Sequence, residues 1–231
     1  MFHSLIISGK NTFVEWGIVP TTRPVVAPPK VKTTYADLPA AHGMLDYTGL
    51  LLGEVPYGQR EDSWTFVVRA GARWSEVYSS LMNYLHGKRH TVILEDDPDF
   101  LYTGRLTVNR WKSDPANSKI VIDYNLDPFK YNVESTDDTE WLWDDLFADV
   151  IRYGRFTVSG SKWRNFINRG ERAAIPTFTC SAPLTVSVDG EEFSLVKGKN
   201  YNGNLMIKPG DNEMLFTGNA EVVVAYREVS L

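Results

Sequence analysis

The stretch Lys119-Ile120-Val121-Ile122-Asp123-Tyr124-Asn125 puts Ile120, Ile122 and Tyr124 on one face and Val121 and Asp123 on the other. A period of two is the mark of a strand with one buried face. The turn Asp114-Pro115-Ala116-Asn117-Ser118 precedes it, and before that Phe100 to Trp111 alternates less cleanly. There Leu101, Thr103, Arg105, Thr107 and Asn109 oppose Tyr102, Leu106 and Val108. Further upstream, His90 to Leu94 reads as a strand that stops at the acidic turn Glu95-Asp96-Asp97-Pro98-Asp99, and Ser63 to Val68 reads as a buried strand. Between these two strands the spacing predicts a helix over about 75–86. Val77, Tyr78, Leu81, Met82 and Leu85 share its inner face, Ser75 is the expected N-cap, and Gly87 follows its end. Strands at roughly ten-residue spacing around one helix predict a β-barrel or sandwich.

Outward from this block, Phe2 to Val19 reads as strands. They break at Ser8-Gly9-Lys10-Asn11 and resume with Phe13, Val14 and Trp16. Residues 20–53 differ in kind, with prolines at 20, 24, 28, 29 and 39 between short apolar patches such as Val25-Val26. Proline cannot donate to a sheet ladder, so this segment is an edge or an extended arm, and its apolar residues need a surface to pack on. On the other side, Asp127-Pro128-Phe129 marks a boundary. The expected organisation is therefore an N-terminal β-domain over 1–127, a connector over 128–154 and a β-sandwich over 155–231. The connector carries a short acidic and aromatic helix around Thr139-Glu140-Trp141-Leu142-Trp143-Asp144-Asp145-Leu146-Phe147. The last domain reads as short strands near 155–159, 162–167, 176–181, 184–188, 192–196, 203–208, 212–217 and 220–227, with no helix among them. The fold class is mainly β, with one main helix.

The chain has 231 residues, 43% of them hydrophobic and 13% aromatic, which is enough for two cores and too apolar for a disordered chain. Its net charge of −5 argues against a sequence-reading nucleic-acid binder, whose affinity rests on basic phosphate contacts. No run reaches about 18 apolar residues, so no membrane insertion is expected. The start has no basic segment before its short apolar stretch, and a single cysteine, Cys180, excludes an internal disulfide. Synthesis in a reducing cytoplasm is the simple reading.

The residues that could carry chemistry each have a plainer reading. His86 and His90 have helical metal-ligand spacing, but Gly87 intervenes and ends the helix. The run from Glu95 to Asp99 lacks the glycine and spacing of a calcium loop. Cys180 has no histidine after residue 90 to activate it, so it reads as a buried structural thiol. Glu140, Asp144, Asp145 and Asp149 supply carboxylates without a spacing that defines a hydrolytic pair. Trp163 and Tyr201 are candidate sugar platforms, with packing in the core or the interdomain seam as the competing reading; Tyr226 is expected to point inward. No catalytic, cofactor or metal residue is assigned, no cofactor is expected, and the chain reads as a non-enzyme.

Several fragments resemble siphophage distal tail proteins (Dit). They are Asn11-Thr12 to Trp16 running into Pro20-Thr21-Thr22-Arg23-Pro24-Val25; Tyr84-Leu85-His86-Gly87-Lys88-Arg89; Leu94-Glu95-Asp96-Asp97-Pro98; Tyr102-Thr103-Gly104-Arg105; Trp111-Lys112-Ser113; Ile122-Asp123-Tyr124; Trp141-Leu142-Trp143-Asp144; Ile207-Lys208-Pro209-Gly210-Asp211-Asn212; and Leu215 to Asn219. Their order along one chain carries the resemblance, which extends to the end, where Glu228-Val229 stands in place of two glycines. It implies a structural protein of the virion tail tip, made in the bacterial cytoplasm. It further implies a split β-barrel-like ring domain with a belt arm, a galectin-like sandwich and a homo-hexameric ring. The implied partners are the major tail tube protein and the tail-associated tip protein, with tape-measure and receptor-binding proteins beside them and DNA only passing through. The alternative is a lectin-like carbohydrate-binding module.

Overall fold

The computed structural model describes residues 3–37, 39, 42–50, 53–69, 73–112, 118–133, 135 and 154–231. Two compact units meet in the chain at 130/131, the first also taking in residue 231.

The first unit opens with β1 (Leu5–Ile7) and β2 (Lys10–Asn11), joined by Ser8 and Gly9 at positive φ. Where Phe13, Val14 and Trp16 predict a resumed strand, the chain instead forms the short helix α1 (Thr12–Trp16). The reason is local. The side chain of Asn11 accepts from the N–H groups of Phe13 and Val14, and Gly17 closes the other end in the left-handed conformation. The unit continues with β3 (Ile18–Pro20), β4 (Tyr35–Asp37), β5 (Met44–Asp46) and β6 (Arg60–Val68). Then come α2 (Trp74–Leu85), β7 (Lys88–Leu94), β8 (Asp97–Lys112) and β9 (Lys119–Asn132).

The main sheet runs β2-β1-β7-β8-β9-β6-β3, antiparallel in every pairing whose register is defined. Its two ends, β2 and β3, are joined only by the five residues of α1 and Gly17. Laid flat, seven strands would hold those ends about 29 Å apart, whereas a five-residue helix spans about 8 Å. The sheet must therefore curl until its ends approach, which gives the barrel-like form. Gly104 lets it do so: a Cβ there would collide with the Asn125 carbonyl and the Leu126 backbone. Leu5, Ile7, Ile18, Phe66, Val92, Leu106, Ile120, Ile122, Tyr124 and Leu126 fill the interior.

Helix α2 seals this core with Leu81 and Leu85, both fully buried. Burying each is worth about 1.5–3 kcal/mol. The helix starts one residue before the predicted cap. The Arg73 carbonyl accepts from Glu76 and Val77, and Trp74 stacks on Tyr78 at 4.9 Å, so Ser75 lies inside the first turn and is no cap. The acidic turn also shortens to Glu95 and Asp96, since Asp97 already pairs with Leu94. The predicted boundary at Asp127-Pro128-Phe129 lies inside β9, whose ladder runs on to Asn132. The predicted connector helix falls outside the described residues.

The second unit holds β10 (Arg155–Asn168), β11 (Thr177–Cys180), β12 (Leu184–Val188), β13 (Glu191–Leu195), β14 (Gly198–Tyr201), β15 (Gly210–Ala225) and β16 (Val229–Ser230). Two pairs of predicted short strands merge: 155–159 joins 162–167, and 212–217 joins 220–227. The segment 203–208 is not a strand and makes one isolated bridge, Ile207 to Ala174, outside the sheet strands. β14 was not expected. β15 pairs with β10 on one side and with β12 and then β11 on the other.

Phe156 and Phe166 lie ten residues apart on β10, about 33 Å if the strand were straight. Their ring centroids are 6.3 Å apart. The β10–β15 ribbon is thus folded over on itself, and the fold falls where Gly160 pairs with Gly218, both at positive φ. One six-stranded sheet wraps a core built on Phe156, Phe166, Phe178, Phe216, Val222 and Val224. The whole is mainly β, as the sequence pattern predicts.

Candidate assembly surface

The described residues between 20 and 58 form a ribbon with a hydrogen-bonded root and an open tip. At the root, the Trp64 indole N–H donates to the Val25 carbonyl at 2.8 Å and the Tyr124 hydroxyl accepts the Ala27 N–H at 2.8 Å. Arg60, 5% exposed, reaches the Ala27 carbonyl at 3.0 Å with Nη1 and the Pro128 carbonyl at 2.8 Å with Nε. Its guanidinium also lies 5.6 Å from the centre of the Tyr102 ring. Burial lowers the pKa of Arg60, while burial raises those of Tyr102 and Tyr124. Arg23 adds an ion pair to Asp96, a bond that raises the arginine pKa and holds the carboxylate below its ordinary range.

Beyond the root, the two legs pair at Val31 with Tyr57 and at Lys32 with Pro56. They end in the β4–β5 hairpin, where Tyr35 faces Asp46 and Asp37 faces Met44. Every residue from 42 to 47 is exposed. Val25, Val31, Tyr35, Met44, Leu45, Tyr47, Leu50 and Val55 are 36–71% exposed, and they make up eight of the fifteen exposed large hydrophobics among the described residues. An isolated two-stranded hairpin is marginal in water. This one presents apolar side chains to solvent, so its chemistry is that of a surface waiting for another protein surface.

The other predicted residues do not converge. His86 is exposed beyond α2, while His90 is buried with its Nδ1 3.0 Å from the Ser8 hydroxyl and its ring 5.2 Å from Tyr84. Glu95 accepts the Ser4 N–H, and Asp97 pairs with Lys130 at 2.8 Å. Cys180 is buried, and burial pushes its thiol pKa up. Glu140, Asp144, Asp145 and Asp149 lie outside the described residues. Among the described residues no group of three or more His, Cys, Asp or Glu could hold a metal, and no helix is long and apolar enough to cross a membrane. Tyr226 points inward as expected, its hydroxyl donating to the Ile167 carbonyl at 2.7 Å. Trp163 and Tyr201 do not pack in a core; they are 62% and 70% exposed. Trp163 pairs with Leu215 on β15, whereas Tyr201 pairs with Thr177, whose own partner on β15 is Ala225.

A curled sheet sealed by one helix, a clamped ribbon arm and a folded-over second sheet define a class of mainly β, two-unit protein with an apolar arm. Among solved structures the chain is similar to the SPP1 Dit protein, described as a paradigm of the hub adsorption apparatus in phages infecting Gram-positive bacteria. The TM-score is 0.64 at 13% identity, and the match covers 100% of both chains. The chain has the fold of that hub protein over its whole length. Neither a family profile nor a curated protein matches it by sequence.

Proposed function

We propose that this chain is a structural protein of a phage tail tip, the subunit of a distal tail ring. In this reading the ring joins the tail tube to the tip and receptor-binding apparatus. The observation that carries it is the arm. It is hydrogen-bonded at its root to Trp64, Arg60 and Tyr124, and apolar at a tip whose side chains stand exposed. A second copy of the chain supplies the missing surface, and a closed ring supplies it to every copy without open-ended growth. The first unit is then the ring domain and the second a galectin-like module. The role is structural rather than catalytic. The ring is proposed to be homo-hexameric, to stack on the tail tube protein and to bind the tail-associated tip protein in the virion. Native mass measurement and electron microscopy of the purified full chain test this. A closed ring of six supports it, and a monomer at every concentration overturns it.

The exposure of Trp163 favours a second reading, a carbohydrate-binding module, because sugar sites stack on exposed aromatic faces. Glycan-array binding by the full chain that Trp163→Ala abolishes would establish that reading. Unchanged or absent binding removes it.

A further inference from the structure

The loop between β14 and β15 carries Asn202-Gly203, the one Asn-Gly pair in the chain. Asparagine before glycine is the pair in which a backbone nitrogen most easily reaches the preceding side-chain amide, since the glycine has no Cβ to restrict its approach. Both residues are exposed, and a Cβ built on Gly203 would meet nothing within 4 Å. The loop also shapes the reactants. Asn202 Oδ1 accepts the Asn204 N–H at 3.0 Å, which draws the side chain back along its own backbone. The same bond polarises the amide carbonyl and leaves Cγ more electrophilic.

We propose that Asn202 is a site of spontaneous deamidation. The Gly203 nitrogen, its proton passed to solvent base, bonds to Asn202 Cγ. The adduct collapses with loss of the side-chain nitrogen as ammonia, leaving a five-membered imide across residues 202 and 203. Water then opens either carbonyl of the ring, giving aspartate or isoaspartate at position 202. Water is the sole co-reactant and no redox change occurs.

The two products differ in consequence. Aspartate still offers an oxygen to the Asn204 N–H. Isoaspartate inserts a methylene into the backbone of the 202–205 turn, which the Asn202 carbonyl closes by accepting the Leu205 N–H at 3.1 Å. That turn delivers Leu205 and Ile207 to the core, where both are buried and Ile207 exchanges two hydrogen bonds with Ala174. Isoaspartate therefore loosens the loop at its buried anchor, whereas aspartate alters only surface charge. Asp189-Gly190 is an internal reference, a pair open to the same imide chemistry. It sits in the tight β12–β13 turn with both residues at positive φ, and the Asp189 carboxylate is held 2.6 Å from Lys208 Nζ.

The test ages the full chain at mildly alkaline pH beside a synthetic peptide spanning 198–207. Peptide mapping by mass spectrometry and enzymatic methylation of isoaspartate read the products. Conversion at 202 but not at 189, slowed by about tenfold or more in Gly203→Ala because a Cβ restricts that backbone, is expected. Hydrogen exchange across 202–207 should rise in the aged chain and stay unchanged in Asn202→Asp. A native chain that keeps Asn202 intact while the peptide converts overturns the proposal, as does conversion that Gly203→Ala leaves at full rate.

Discussion

The β4–β5 tip and the strand β10 are both places where a sheet stops, and the chain treats them in opposite ways. β10 offers fourteen residues of edge, with β15 on one side and no described strand on the other. Such an edge invites pairing with other chains. Here it is blunted by the fold at Gly160 and by two cations that take inward-facing positions. Lys162 donates back to the Thr157 carbonyl at 2.9 Å, and the Arg164 guanidinium lies 5.3 Å from the centre of the Phe156 ring. At the tip the apolar side chains of Met44, Leu45 and Leu50 stand exposed. One edge is guarded against association; in the proposed function the other serves it.

The strongest way to break this contrast is to remove the tip. Replacing residues 33–53 by a short flexible link leaves the root bonds of Trp64, Arg60 and Tyr124 in place. The expected outcome is a folded monomer with unchanged stability and complete loss of self-assembly, read by native mass measurement and thermal unfolding. Rings that persist without the tip would show that other surfaces drive assembly. A smaller effect is expected at the root. Arg60→Met leaves the part-buried Ala27 and Pro128 carbonyls without this donor, a loss toward the low end of roughly 1–3 kcal/mol. Denaturant unfolding measures the loss, and hydrogen exchange should rise at the amides of residues 25–27. Unchanged exchange there would mean that the root is held by Trp64 and Tyr124 alone.

These two regions were unequally legible in the sequence. The prolines and apolar patches of 20–53 mark an arm, because proline is a local and context-free signal. The clamp was invisible, since Arg60 reads as any surface cation until the fold buries it against Ala27 and Pro128. In the second unit, Gly160 and Gly218 read as strand breaks because a glycine at positive φ usually ends a strand. Placed opposite one another, they instead bend a continuous ribbon. Two turns escaped notice although the sequence spells them alike, Gly198-Lys199-Asn200 and Gly210-Asp211-Asn212. In each, the asparagine amide donates to the carbonyl two residues back and to the one four back, while its oxygen accepts the N–H four back. Each asparagine also sits opposite a buried phenylalanine, Phe178 or Phe166. The inward faces of β8, β9 and α2 were readable because burial there follows the period of one element. The exposure of Trp163 was not, because it depends on which face of an edge strand meets the core.

The guard on β10 can be removed by Lys162→Val with Arg164→Val in the tip-deleted chain, where arm-driven association is absent. Concentration-dependent association by sedimentation is expected, since a β-branched edge without inward charge invites strand pairing. A variant that stays monomeric would show that the bend at Gly160 protects the edge by itself.

The smallest effect separates the body from the arm by pH. Burial lowers the pKa of His90 below its ordinary value of about 6.5, and the nearby Lys88 cation lowers it further; the carbonyls of Tyr84 and Leu85 pull the other way. Well above that value the ring is neutral in both folded and unfolded chains and stability does not depend on it. As the pH falls through it, the unfolded chain takes up the proton first. The unfolded state then binds more protons, so stability declines with acid until the folded ring also protonates, and levels off below. The first unit should therefore weaken below about pH 6.5. His90→Gln, keeping a polar group near the Ser8 hydroxyl, should flatten that decline between pH 7 and 5 relative to the native chain. In the proposed function, assembly through the tip rests on apolar residues that do not titrate between pH 7 and 5, so ring formation should hold over the range where the body still folds. A decline of equal slope in His90→Gln would assign the acid sensitivity to other groups in the first unit.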